Sequence, residues 1–104
     1  MKGYIATYCH NDSTSKGKAG SLVRVLTDTD FSHNIPDFVN FSAKIAMIAC
    51  GVQESSWKEL LVLYPALEDE RQKLSTLLKE DVIVDEIMVM YGQKEMDMEE
   101  NSTE

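Results

Sequence analysis

Two short runs of β-branched and aromatic residues, held apart by a polar segment, constrain this chain more than any other feature. Tyr4-Ile5-Ala6-Thr7-Tyr8-Cys9 and Ser21-Leu22-Val23-Arg24-Val25-Leu26-Thr27 both have strand composition. The segment between them, His10 to Gly20, is dense in Asn, Asp, Ser, Lys and Gly. The pattern predicts an antiparallel hairpin whose loop is longer than a tight turn.

A hairpin needs other elements to cover one of its faces, and the helices that come after it can do so. Asp28 to Asn34 is a short polar connector, and Pro36 suits the first turn of a helix, where its missing N–H costs nothing. Phe38, Phe41, Ile45 and Ile48 recur at helical spacing, with Val39 and Ala46 widening the stripe. Gly51 lies just past the last periodic residue, a common place for a helix to end.

Ser56 and Glu59 have capping-box spacing and open a second helix, Trp57 to Leu63, which Pro65 stops. A third helix, about 66–79, carries Leu67, Leu74, Leu77 and Leu78 on one side. Val82 to Tyr91 is a last apolar run with strand composition. These elements predict an α+β, two-layer domain: a three-stranded antiparallel sheet, formed by the hairpin and the C-terminal strand, covered by about three helices.

The chain has 104 residues, 43% of them hydrophobic and 27% charged, the composition of one ordinary globular domain. Residues 1–91 read as that domain and 92–104 as an acidic, disordered tail. Half of the net charge of −8 lies in this tail, where Glu95, Asp97, Glu99, Glu100 and Glu104 face a single Lys94. Such a balance argues against nucleic acid or an anionic membrane as the partner. Cys9 and Cys50 are too few for a disulfide framework, and no apolar run reaches the ~18 residues of a membrane span. The expectation is a cytoplasmic protein with reduced thiols.

Catalytic and cofactor signals are weak. Lys16-Gly17-Lys18-Ala19-Gly20-Ser21 fails as a phosphate loop, because Asp12 stands where a glycine is needed and Ala19 where a magnesium-binding hydroxyl is needed. Cys9, His10, His33 and Cys50 lack zinc-ligand spacing, and Cys9 and His10, adjacent in a strand, point to opposite faces. A Cys9–His33 nucleophile and base has no accompanying oxyanion signal. Asp28 and Asp30 sit in a connector where Asp is common for turn formation. No enzyme activity, metal or cofactor is expected.

One residue is out of place. Phe31 stands between Asp30 and Ser32, outside any periodic apolar pattern. It is either folded back onto the core or an exposed aromatic anchor of the kind that dominates protein–protein hot spots.

The run Leu22-Val23-Arg24-Val25-Leu26-Thr27-Asp28-Thr29-Asp30-Phe31 resembles the signature of the translation elongation factor Ts family, a hydrophobic strand ending in Thr-Asp-Phe. Gly3-Tyr4-Ile5-Ala6-Thr7-Tyr8 resembles the family's first core strand and the Gly17-to-Gly20 turn its hairpin. Phe38-Val39-Asn40-Phe41-Ser42-Ala43-Lys44-Ile45-Ala46-Met47 resembles its following helix. Leu77-Leu78-Lys79-Glu80-Asp81-Val82-Ile83-Val84 resembles its entry to the third strand. The likeness runs from about residue 3 to 91 and covers one core subdomain. Nothing here resembles the family's N-terminal helical domain or its second core subdomain.

The resemblance implies an exchange factor that binds the GTPase elongation factor Tu and promotes GDP/GTP exchange without covalent chemistry. Phe31 would wedge beside the GTPase's magnesium and phosphate site, Asp30 would meet a neighbouring helix, and Thr29 completes the motif. Leu78 and Lys79 match a second contact turn, where the family usually has Ile-Gly. The alternatives are an interaction module, of a kind suited to a virus, that binds or recruits elongation factor Tu without exchange, and an unrelated enzyme. The long apolar strand Val82 to Tyr91 leaves a surface that a second copy could cover, giving a homodimer through the C-terminal strand region.

Overall fold

A computed structural model describes residues 1–11 and 18–92. Strands β1 (Lys2–His10) and β2 (Ala19–Thr27) form the hairpin. A 3-10 helix, Asp30–Asn34, leads into α1 (Pro36–Val52), which is followed by α2 (Trp57–Leu63), α3 (Ala66–Leu78) and β3 (Ile83–Tyr91). The sheet is antiparallel with order β1-β2-β3, so the returning strand β3 pairs with β2. The architecture is the expected α+β, two-layer one. The acidic tail expected over 92–104 lies, apart from Gly92, outside the described residues.

Side chains alternate across each strand, and the inward set is Ala6 from β1, Val23 and Val25 from β2, and Val84 and Ile87 from β3. Against them α1 buries Phe38, Phe41, Ile45, Ala46 and Ala49. The small residues Ala6, Ala46 and Ala49 let this helix approach the strands closely. Buried Ser21 donates its hydroxyl to the Ala46 carbonyl, tying β2 to the middle of α1. Leu60, Leu67 and Leu74 extend the core from α2 and α3. Fully burying one such leucine or phenylalanine contributes about 1.5–3 kcal/mol.

The helix boundaries follow local chemistry, with two corrections. Ser56 accepts the Glu59 N–H at 3.4 Å and opens α2, and the chain breaks at Tyr64 before Pro65, as the sequence predicts. Gly51, however, lies inside α1. The left-handed cap is Gln53, at φ 63°, with its N–H on the Ala49 carbonyl, because half-buried Val52 prolongs the apolar face. In α3, Leu67 and Leu74 are buried and Leu78 is half-buried, but Leu77 is 59% exposed. At about 100° per residue, Leu77 falls some 80° away from the stripe that Leu67, Leu74 and Leu78 share.

Two arginines organise the third strand. Arg71 grips Glu68 at 2.6 Å and donates to the Val82 carbonyl at 2.8 Å, fixing α3 to the start of β3. Its guanidinium holds the Glu68 carboxyl down at about 2. On the outer face, a register shift makes Asp85 an extra residue beside Glu86, so Arg24 reaches both carboxylates at 2.8 Å. The rest of that face carries exposed Ile5, Leu22, Ile83, Met88 and Met90. Among the described residues, no helix is long and apolar enough to cross a membrane.

Ser42 breaks the core's polar satisfaction: its hydroxyl is buried without a hydrogen-bond partner among the described residues. Such an orphan costs more than it returns. Ser42→Ala is therefore expected to stabilise the domain by about 1 kcal/mol, read as a higher urea midpoint with an unchanged slope.

Candidate partner-binding site

The connector after β2 is held from beneath by aromatic packing. His33 stacks on Phe38 of α1 with ring centroids 5.1 Å apart, and both rings meet Tyr4 of β1, at 5.5 and 5.3 Å. Thr27, fully buried at the end of β2, donates its hydroxyl to the Thr29 carbonyl at 2.6 Å and shares a 3.0 Å contact with His33 Nε2. His33 is thus a packing residue.

A 3-10 helix turns about 120° per residue, so neighbours along it point in different directions. Ser32 points inward and is 2% exposed, which sends Phe31 outward at 71% exposure. Asp30 is exposed beside it. Of the two sequence readings of Phe31, the geometry gives the exposed aromatic.

The other side of the tip is held by a residue of the turn between α3 and β3. Glu80 accepts the Thr29 N–H at 2.8 Å on one oxygen, and the Thr29 and Ser32 hydroxyls at 2.7 and 2.9 Å on the other. The Asp81 N–H donates to Asp28 at 3.3 Å, adding a second bridge. These bonds, led by the one from the Thr29 hydroxyl, hold the Glu80 carboxyl below its ordinary value. They also explain why Thr29, at the N-cap position, makes no side-chain cap: its hydroxyl is committed to Glu80.

Glu80 can face the tip because of Lys79. The chain leaves α3 through Lys79 in the left-handed conformation, φ 58° and ψ 35°. The Lys79 and Glu80 N–H groups both return to the Ser75 carbonyl, and the Ser75 hydroxyl donates to the Glu80 carbonyl. This turn brings the two predicted contact segments, Thr29–Asp30–Phe31 and Leu78–Lys79, to one end of the domain. Leu78 itself is half-buried against the core.

Sequence reasoning missed Glu80. No local signal pointed to it: the basic Lys79 comes directly after α3, and the partners of Glu80 lie 48 and 51 positions earlier in the chain.

The remaining candidates lie apart. Cys9 is exposed on the outer sheet face, and Cys50 is buried in α1. Cys50 borders a cleft of about 770 Å³ with Tyr8, His10 and Tyr91, at the end of the sheet away from the tip. Among the described residues, no group of three or more His, Cys, Asp or Glu side chains could hold a metal ion. No protein-family model matches the chain, and no curated protein matches it.

The left-handed backbone at Lys79 is unfavourable, costing a residue with a Cβ about 1 kcal/mol or more. Lys79→Gly is expected to raise stability by about 1 kcal/mol in urea denaturation, because glycine adopts this conformation freely.

Proposed function

We propose that this chain binds the GTPase elongation factor Tu through Thr29, Asp30, Phe31 and the Leu78–Lys79 turn, and promotes GDP/GTP exchange as an elongation factor Ts-like factor. The observation that carries the reading is Phe31, a large aromatic 71% exposed on a tip fixed by hydrogen bonds and ring stacking. A large aromatic presented outward on an ordered tip is the side-chain type enriched among protein–protein hot spots. The left-handed turn at Lys79 adds support, since the resembled family usually has glycine there, the residue that favours this backbone.

The mechanism is differential binding. Phe31 enters beside the magnesium and phosphate site of the GTPase, Asp30 meets a neighbouring helix, and the strain falls on groups that hold the nucleotide. Weakened nucleotide affinity and weakened factor affinity are two sides of one coupling free energy. No bond to this chain forms or breaks.

A labelled-GDP release assay on elongation factor Tu tests the proposal. Release is expected to accelerate with the parent chain, and Phe31→Ala is expected to lower affinity at least ~30-fold, as fits a hot spot of about 2 kcal/mol. Binding without faster release favours the interaction module, and no binding at all contradicts both.

The bare outer face supports a second contact, with another copy of this chain. Ile83, Met88 and Met90 of β3 lie there with Ile5 and Leu22, and Met90 is 72% exposed. Sedimentation velocity is expected to reveal a homodimer that Met90→Lys splits. A strict monomer at high concentration rules the pairing out.

A further inference from the structure

A five-residue 3-10 helix has little stability of its own, and an exposed phenylalanine gains by collapsing onto nearby apolar surface. Something must hold Phe31 outward. The Tyr4–His33–Phe38 cluster fixes the base of the connector but touches only its inner side. The opposing restraint is the Glu80 carboxylate.

Three donors converge on this one group, and they come from residues 48 and 51 positions earlier in the chain. Both of its oxygens are engaged, so it has no need of a further partner. Asp28, Asp30 and Asp81 stand close in sequence to the groups it joins, and Lys79 is the one cation next to it in the chain. The bonds to Thr29 and Ser32 hold the carboxylate in place.

We propose that Glu80 is a positioning residue: its carboxylate locks the Thr29–Phe31 tip to the α3–β3 turn, so that a partner meets one preformed surface. This rests on the reading of the tip as the partner-binding site. Glu80 acts through Phe31 and makes no contact with the partner itself. Preorganisation of this kind raises affinity by removing the ordering cost at the moment of binding. Loss of the lock therefore weakens binding chiefly through Phe31, the aromatic anchor of the tip.

A double-mutant cycle with amide hydrogen exchange tests this. In the free protein, Glu80→Ala is expected to speed exchange of the Thr29 amide about tenfold or more, while core amides such as Val23 and Val25 keep their rates. Glu80→Gln, which keeps an acceptor and loses the charge, is expected to fall between. Affinity for elongation factor Tu is expected to drop about tenfold on Glu80→Ala in the parent chain, and less than about twofold in the Phe31→Ala background.

Unchanged Thr29 exchange overturns the proposal, as does a full affinity loss that persists without Phe31. If the parent chain does not bind elongation factor Tu, the exchange-factor reading fails, and the exchange rates in the free protein alone decide whether Glu80 holds the tip.

Discussion

Phe38 is the point on which the rest of the architecture turns. It sits in the first turn of α1, fully buried, in a T-shaped contact with Tyr4 and stacked on His33. Through Tyr4 it seats α1 on the hairpin, and through His33 it seats the connector on α1. The helix then runs across the sheet with Ile45, Ala46 and Ala49 packed inward. Because β2 ends at buried Thr27 and α1 must start at Pro36, the connector has few residues in which to reverse. A tight 3-10 turn is the short solution, and with Ser32 and His33 used inside, Phe31 is left outside.

Two different kinds of force therefore share the tip. Apolar stacking anchors its base without specifying direction, while directional hydrogen bonds to Glu80 specify where Thr29 and Ser32 lie. The same division appears along α3 itself, where Leu74 is buried for packing and Arg71 aims at Glu68 and the Val82 carbonyl for register. Binding residues on a loop held by a rigid scaffold are the usual arrangement of interaction proteins. The open face of the sheet is different in character: broad and apolar, with Arg24 bridging two carboxylates.

Elements with local causes were legible in the sequence. Pro36, the Ser56–Glu59 cap, Pro65 and the alternating strands each fix structure through residues a few positions apart. Boundaries set by competition were not. Gln53 replaces Gly51 as the cap because packing of Val52 outweighs the preference for glycine, and Leu77 turns outward because its neighbours Leu74 and Leu78 already fill the stripe. At the site, Phe31 was visible as an aromatic in the wrong company, but its exposure depends on Ser32 and His33 being drawn inward. The Glu80 lock was invisible because it joins residues about half the chain apart, through a lysine in a backbone conformation lysine rarely takes.

The central claim is that the tip and the α3–β3 turn form one partner-facing surface. Titrating isotope-labelled chain with GDP-bound elongation factor Tu and following its amide resonances tests this directly. Broadening is predicted at residues 29–33 and 77–80 together, with the outer sheet face unaffected. Perturbation centred on Leu22, Met88 and Met90, or no perturbation anywhere, would contradict it.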